Sequence, residues 1–313
     1  MTVPPWLAKE MAALRAAYEA DRMPHALLIH EAPGAGGDWL ANWIAQLVLK
    51  TDRTQHPDWS SVRPIDDSRQ IRIEQVRELA QELTLTSHQG GYKVGVLSPA
   101  DVLNRFAANA LLKTLEEPPR HTVLILVATQ PSRLPATILS RCQRVRVSAP
   151  TRAEAVAWLE FTRGKGDWAG VLDILGEAPM LVAQEDAAAV AQIGVEVRRG
   201  LEQATAGTSD PVATAEQWSR AELPLRLRCF ENWLTERIHG QFATKGFLTE
   251  VGAVTYLQPP ETVLNIRQLF ELLDGVRDLK SALETPINRG LALESLLRRL
   301  ASGGRADAVS RVR

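Results

Sequence analysis

Three short, unbroken apolar runs dominate the first half of the chain: Ala26 to His30 (ALLIH), Val94 to Leu97 (VGVL) and Val123 to Val127 (VLILV). A strand with one wet face alternates apolar and polar residues. A run without alternation needs cover on both faces, as inside a parallel sheet. Trp59 to Pro64 is a weaker strand candidate. Between the runs, Trp39 to Leu49, Ile73 to Leu83 and Leu103 to Leu115 carry helical periodicity, with Val76, Leu79 and Ala80 on one face of the second and Ala107, Ala110 and Leu111 on one face of the third. Strand and helix in alternation imply right-handed crossovers and a three-layer α/β domain.

Past Pro150 the strand signals stop. Thr151 and Glu154 have capping-box spacing, and Val156, Leu159 and Phe161 offer an apolar face to a helix starting there. Gly164-Lys165-Gly166 predicts a turn, Trp168 to Leu175 a short helix, and Gly176 to Pro179 a second break. From about residue 188 the pattern stays helical in longer segments, Leu225 to Phe242, Glu261 to Leu283 and Leu291 to Leu300. Within the middle one, Ile266, Leu269, Phe270, Leu273, Val276 and Leu279 predict one buried face. Thr205 to Asp210 reads as a loop and Gly303 to Arg313 as a frayed tail.

Charge and cysteine usage narrow the function classes. Lys plus Arg number 36 against 37 Asp plus Glu, a net charge of −1, so no long-range field gathers nucleic acid or an anionic membrane. Any DNA contact must be local or shared with partners. Two cysteines, Cys142 and Cys229, are too few for a disulfide framework or a zinc knuckle and suit a reducing cytoplasm. Met1 to Glu10 lacks the look of a signal peptide, and no stretch approaches the ~20 apolar residues of a spanning helix, so neither export nor anchoring is expected.

After the first strand comes His30-Glu31-Ala32-Pro33-Gly34-Ala35-Gly36-Gly37-Asp38, then a helix. A working phosphate loop reads G-x-x-x-x-G-K-[ST], with lysine for the β and γ phosphates and a hydroxyl for Mg²⁺. Here Gly34 and Gly36 keep the turn, but Glu31 stands at the first glycine, Gly37 replaces the lysine and Asp38 the hydroxyl residue. Taken alone, the segment is an ordinary glycine turn. An ATP-hydrolysing domain of this kind ends its next central strand in Asp-Glu; this chain has Ser98-Pro99 there, and Asp101 reads as a cap for the following helix.

Two longer blocks carry a resemblance: Asn109-Ala110-Leu111-Leu112-Lys113-Thr114-Leu115-Glu116-Glu117-Pro118-Pro119 and Leu134-Pro135-Ala136-Thr137-Ile138-Leu139-Ser140-Arg141-Cys142-Gln143. With them the chain resembles the clamp-loader branch of the AAA+ ATPases. Pro24-His25-Ala26-Leu27-Leu28, His56-Pro57-Asp58 and Leu291-Ala292-Leu293-Glu294 narrow this to the bacterial DNA polymerase III members. The resemblance implies an AAA+ α/β domain over 1–149 with degenerate Walker motifs, a small helical lid over 150–187 and an all-α collar over 188–313 through which five subunits form a ring. Members often carry a zinc-binding cysteine cluster after the first helix; Lys50 to Gln55 runs straight to His56 without a cysteine, so no zinc is expected.

The same resemblance gives Arg141 a role in trans. A guanidinium is planar and permanently charged, suited to the charge that spreads over phosphate oxygens during transfer. Arg141 would act as an arginine finger on Mg-ATP held by a neighbouring γ/τ subunit, with Ser140 and Cys142 positioning the turn; standing alone it would read as a surface or salt-bridging arginine. The implied protein binds no nucleotide or metal of its own. It works as a rigid ring member beside γ/τ and δ subunits, and helps load a sliding clamp onto primer-template DNA. The competing expectation is an active AAA+ ATPase with unorthodox site residues, and a third is a DNA adaptor gripping phosphates through Arg298, Arg299, Arg305, Arg311 and Arg313.

Other candidates carry less. Thr129 resembles a polar sensor residue but is more simply a satisfied strand-end threonine. No arginine occurs from Gly176 through Gln184, where active relatives offer one to the nucleotide. Lys113, Glu116 and Glu117 read as a solvated helix end before a double proline, or as a site for a partner's basic surface. His25 and His56 lack ligand-like companions, and the 8 tryptophans are scattered rather than interleaved with a basic stripe.

Overall fold

The computed structural model describes residues 2–53, 55–65, 70–88, 91–244, 264–283 and 287–310. It divides into two compact units, 1–165 with 177–184, and 166–176 with 185–313.

The first unit is a sheet between two helix layers. Strands β1 (Ala26–Glu31), β2 (Trp59–Val62), β3 (Lys93–Leu97), β4 (Thr122–Ala128) and β5 (Gln143–Val147) are all parallel and lie in the order β2-β3-β4-β1-β5. Helices α1 (Ala8–Glu19) and α2 (Gly37–Leu49) cover one face, while α3 (Ile73–Thr84), α4 (Arg105–Glu116) and the single turn α5 (Ala136–Leu139) cover the other. The alternation of strand side chains makes this work: Leu27 and Ile29 join the α1/α2 core, Ala26 and Leu28 the α3/α4 core. β3 and β4 are buried along their whole length, which is why they are unbroken apolar runs in the sequence.

β5 and α1 of this unit have no sequence expectation behind them. β5 lies at the sheet edge, with Val145 and Val147 inward and Gln143, Arg144 and Arg146 exposed, so it never forms an apolar run. α1 likewise went unseen; it packs Met11 and Leu14 under the sheet. The cap of α4 is Asn104, whose side-chain oxygen accepts the Ala107 N–H at 2.8 Å; Asp101 is occupied elsewhere, against the expectation that it caps this helix.

Beyond the sheet, α6 (Arg152–Arg163) starts at the expected capping box, the Thr151 hydroxyl accepting the Glu154 N–H while the Glu154 carboxylate accepts the Thr151 N–H at 2.8 Å. Its buried face is Ala155, Trp158 and Leu159; Phe161 points to solvent. α6 and the short α8 (Pro179–Val182) cluster with the first unit, whereas α7 (Trp168–Leu175) clusters with the second. No helix among the described residues is long and apolar enough to cross a membrane.

The second unit adds α9 (Ala187–Thr205), α10 (Pro211–Arg220), α11 (Leu223–Thr244), α12 (Ile266–Ser281) and α13 (Arg289–Ser310) around one core that includes Val197, Trp218, Phe230, Leu273 and Leu297. On α12 the buried stripe is Leu269, Leu272, Leu273, Val276 and Leu279; Phe270 is exposed and Leu272 takes its place. Residues 261–263 and 311–313 of the expected helix and tail lie outside the described residues. α13 continues through Gly303 instead of ending there, because that glycine is a packing residue: a Cβ on it would stand 2.4 Å from the Leu264 side chain.

Candidate functional site

β1 ends in Glu31 and α2 begins at Gly37, and the five residues joining them decide what the loop can hold. Gly36 sits at φ +107°, a conformation that costs glycine little, and the turn aims successive N–H groups at one point in front of α2. Such a nest at a helix N-terminus is a ready anion site. The anion is already present in the chain: Glu31 Oε2 accepts the Gly36 N–H at 3.0 Å and the Gly37 N–H at 2.6 Å. Burial pushes the Glu31 carboxyl above the usual glutamate range. The Gly37 N–H pulls it back, the Asp38 charge adds to the rise, and the Gly36 N–H and Asp101 charge make smaller opposing contributions.

The rest of the loop is covered. Gly34 lies at φ +68°, and a Cβ there would meet Ala178 Cβ at 2.6 Å. The Met180 N–H donates to the Gly34 carbonyl at 3.1 Å, and a Cβ at Gly36 would stand 3.0 Å from Met180 Cε. From the N-terminal side the Trp6 indole N–H donates to the Ala35 carbonyl at 2.7 Å, and the Trp6 ring meets Trp158 edge-on at 5.4 Å. Gly37 has no room for a lysine stem, since a Cβ would lie 2.7 Å from Glu31 Cδ and 2.9 Å from Val127 Cγ1. Asp38 is paired with Arg63 at 3.0 Å.

Ser98 is buried directly after β3, its N–H donating to the Val62 carbonyl at 3.1 Å, and Pro99 follows. The nearby carboxylate is Asp101, whose Oδ2 accepts the Thr129 hydroxyl at 3.0 Å and the Gln130 N–H at 2.8 Å. Thr129 is thus the satisfied strand-end threonine expected of it, and Asp101 ties the loop after β4 to the loop after β3. Among the described residues no group of three or more His, Cys, Asp or Glu side chains is arranged to hold a metal. His56 Nδ1 accepts the Asp58 N–H at 3.1 Å.

Arg141 lies away from that loop, in the turn after α5. The turn is tightly built: the Ser140 N–H donates to the Ala136 carbonyl at 2.9 Å, the Arg141 N–H to the Ile138 carbonyl at 3.0 Å, and the Ser140 hydroxyl to the Thr137 carbonyl at 3.1 Å. Cys142 anchors it from below, buried in the α3/α4 core, and burial pushes its thiol up to about 11, so it stays protonated and unreactive near neutrality. The guanidinium is partly exposed. Nη1 donates to the Thr137 carbonyl at 3.0 Å and to Ser140 Oγ at 3.4 Å, and Nη2 pairs with Glu116 Oε1 at 2.8 Å. Glu116, the last residue of α4, therefore has a partner within its own chain instead of standing free at a solvated helix end. Of the C-terminal arginines, Arg298 pairs with Glu294 at 2.7 Å and Arg299 with Glu271 at 3.7 Å. Arg311 and Arg313 lie outside the described residues, as does the side chain of Arg305.

Sequence reasoning missed what fills the loop. Trp6, Ala178 and Met180 carry no local signal, because their role depends on where distant segments arrive. The Glu116–Arg141 pair was also unforeseen, although both residues sat in the two blocks singled out.

A family model described as DNA polymerase III, delta subunit, matches residues 7–151. DNA polymerase III subunit delta′ of Pseudomonas aeruginosa is 32% identical over 229 residues, covering 67% of this chain and 70% of that one. The delta′ subunit of Escherichia coli is 36% identical over 172 residues, 50% of this chain and 52% of its own length. The tau subunit of Escherichia coli is 31% identical over 153 residues, covering 44% of this chain and 24% of that protein. Among solved structures, a DNA polymerase III gamma subunit-related protein from Thermotoga maritima superposes with a TM-score of 0.56 at 18% identity, covering 94% of this chain and 99% of that one. That likeness extends across the sheet domain and the helical region alike.

Proposed function

The chain belongs to the DNA polymerase III delta prime family, in the clamp-loader branch of the AAA+ proteins, and from that membership we propose that it is a non-catalytic ring subunit that lends Arg141 to the ATP site of a neighbouring γ/τ subunit. The observation that carries the first half is the Glu31 carboxylate on the Gly36 and Gly37 N–H groups. A triphosphate would have to displace the half-buried Glu31 carboxylate, the Ala178 and Met180 cover and the Trp6 hydrogen bond, and it would find neither the lysine nor the Asp-Glu pair that the chemistry needs. In this reading the α/β domain is kept as a frame, the segment 150–187 as a small helical lid domain and the helices from 188 as a collar. In the cytoplasm the ring would comprise this chain, γ/τ and δ, and would place a sliding clamp on primer-template DNA.

The second half rests on residue type and place. Arg141 is presented on a tightly hydrogen-bonded turn and carries a planar guanidinium whose N–H donors suit phosphate oxygens. Supplied to a γ-phosphoryl group from the adjacent subunit, such a residue is worth roughly 10³–10⁵ in rate in the systems where it has been removed. Two measurements test the reading. The isolated chain should show no saturable Mg-ATP binding up to millimolar nucleotide and no hydrolysis; micromolar affinity with turnover would instead establish the active-ATPase reading. In the complex reconstituted with γ/τ and δ, Arg141→Ala should leave assembly intact and lower clamp- and DNA-stimulated ATP turnover. Unchanged turnover rejects the trans role.

A further inference from the structure

Resting on the trans role proposed for Arg141, we infer that Glu116 is the positioning residue of that arginine, holding its guanidinium in a single orientation before a partner's nucleotide arrives. The backbone of the turn is already immobilised by the Ser140 and Arg141 N–H bonds and by buried Cys142. What remains free in such a turn is the long side chain. It is gripped from two elements: the α5 turn through the Thr137 carbonyl and Ser140 hydroxyl on Nη1, and the end of α4 through the Glu116 carboxylate on Nη2. The two hydrogen bonds fall on Nη1 and the ion pair on Nη2. They leave Nε–H without a protein partner among the described residues, available to phosphate oxygens.

The chemistry of the pair suits this task. A carboxylate 2.8 Å from Nη2 draws the guanidinium more strongly than a neutral acceptor at that distance would. Fixing the guanidinium in advance moves the loss of its rotamer freedom into folding, so that less is lost when the phosphate is met; donors aimed ahead of time at developing charge are the effective ones. The pair is also partly solvent-exposed, at 36% and 51% for the two side chains. Glu116 therefore orients Arg141 without locking it away, because water screens the attraction.

Glu116→Gln in the reconstituted complex tests this, since it keeps the shape of the side chain and removes its charge. ATP turnover should fall about tenfold in kcat, with KM for ATP changed by less than about twofold, the split expected when ground-state binding is untouched. Glu116→Asp, which keeps the charge on a shorter stem, should recover part of the loss. In the isolated chain the Arg141 Nε–Hε NMR order parameter should drop in Glu116→Gln while the circular dichroism and melting curve stay as in the parent. Adding Glu116→Gln to Arg141→Ala should cause no further loss. If Arg141→Ala impairs turnover while Glu116→Gln leaves it unchanged or raises it, Glu116 is not the positioning group and the inference falls while the trans reading stands. If Arg141→Ala is silent, both fall.

Discussion

Glu31 does in this chain what a bound phosphate does in a working loop: it satisfies two N–H groups at a helix N-terminus that would otherwise be buried and unpaired. The substitution that looks most restorative on paper is therefore a poor one. Gly37→Lys places a Cβ 2.7 Å from Glu31 Cδ and 2.9 Å from Val127 Cγ1; the flexible carboxylate can give way, but the valine is held in the α1/α2 core. The new ammonium would have the Glu31 carboxylate as its nearest partner rather than a nucleotide. Gly37→Lys is expected to lose about 1–3 kcal/mol of stability through overpacking, measured by urea unfolding, and to gain no ATP hydrolysis in a phosphate-release assay. Measurable hydrolysis from this single change would mean that the loop is open and Glu31 incidental.

Elements were legible where burial writes itself into composition. β1, β3 and β4 stand out because both of their faces are covered, while β5 alternates valine with arginine at the sheet edge and passes for a polar loop. The departures from a nucleotide-binding pattern could be read directly, since Glu31, Gly37 and Asp38 around the loop after β1 and Ser98-Pro99 after β3 are not the residue types that pattern calls for. The cover over that loop could not: Ala178 and Met180 arrive from well over a hundred residues downstream, and a side chain's direction leaves no periodic trace. Local chemistry did transmit faithfully at α6, where Thr151 and Glu154 form the reciprocal cap their spacing announces, and the Thr151 hydroxyl and N–H hold the Glu154 carboxyl below the ordinary range. Thr151→Ala should cost about 1 kcal/mol and speed amide hydrogen exchange in the first turn of α6. Thr151→Ser should largely preserve protection, and equal exchange rates for all three proteins would show that the cap contributes nothing.

At the scale of the whole chain, three buried or half-buried carboxylates pull its acid stability in opposite directions. Burial raises the Asp58 carboxyl, but the His88 N–H, the Ser87 hydroxyl and the Lys93 ammonium together outweigh it and hold the group below its ordinary value of 3.8. Glu231 behaves likewise in the second unit, where the Arg277 and Lys280 hydrogen bonds overcome burial and hold it below 4.5. For both, the stabilisation is complete above the unfolded-state pKa. It drains away as pH falls through the depressed folded value, because the unfolded chain takes up the proton first. Glu31 has the reverse sign: its folded pKa lies above 4.5, so as pH falls through that raised value the folded state takes up the proton first and gains stability. In the first unit Glu31 works against Asp58 and the exposed Glu154, whereas Glu231 in the second has no opposing group among these carboxylates. Acidification from neutrality to about pH 3.5 should thus weaken the helical unit ahead of the sheet unit, seen as earlier loss of exchange protection in α11 and α12 than in β3 and β4. Glu231→Gln should flatten that acid limb for α11 and α12 while lowering their stability at pH 7, and it should leave the pH dependence of β3 and β4 as it was. Lys93→Met, which strands the buried Asp58 charge, should cost about 3 kcal/mol in the sheet unit alone. Simultaneous acid loss of protection in both units, unmoved by Glu231→Gln, would mean that these carboxylates do not set the order in which the molecule comes apart.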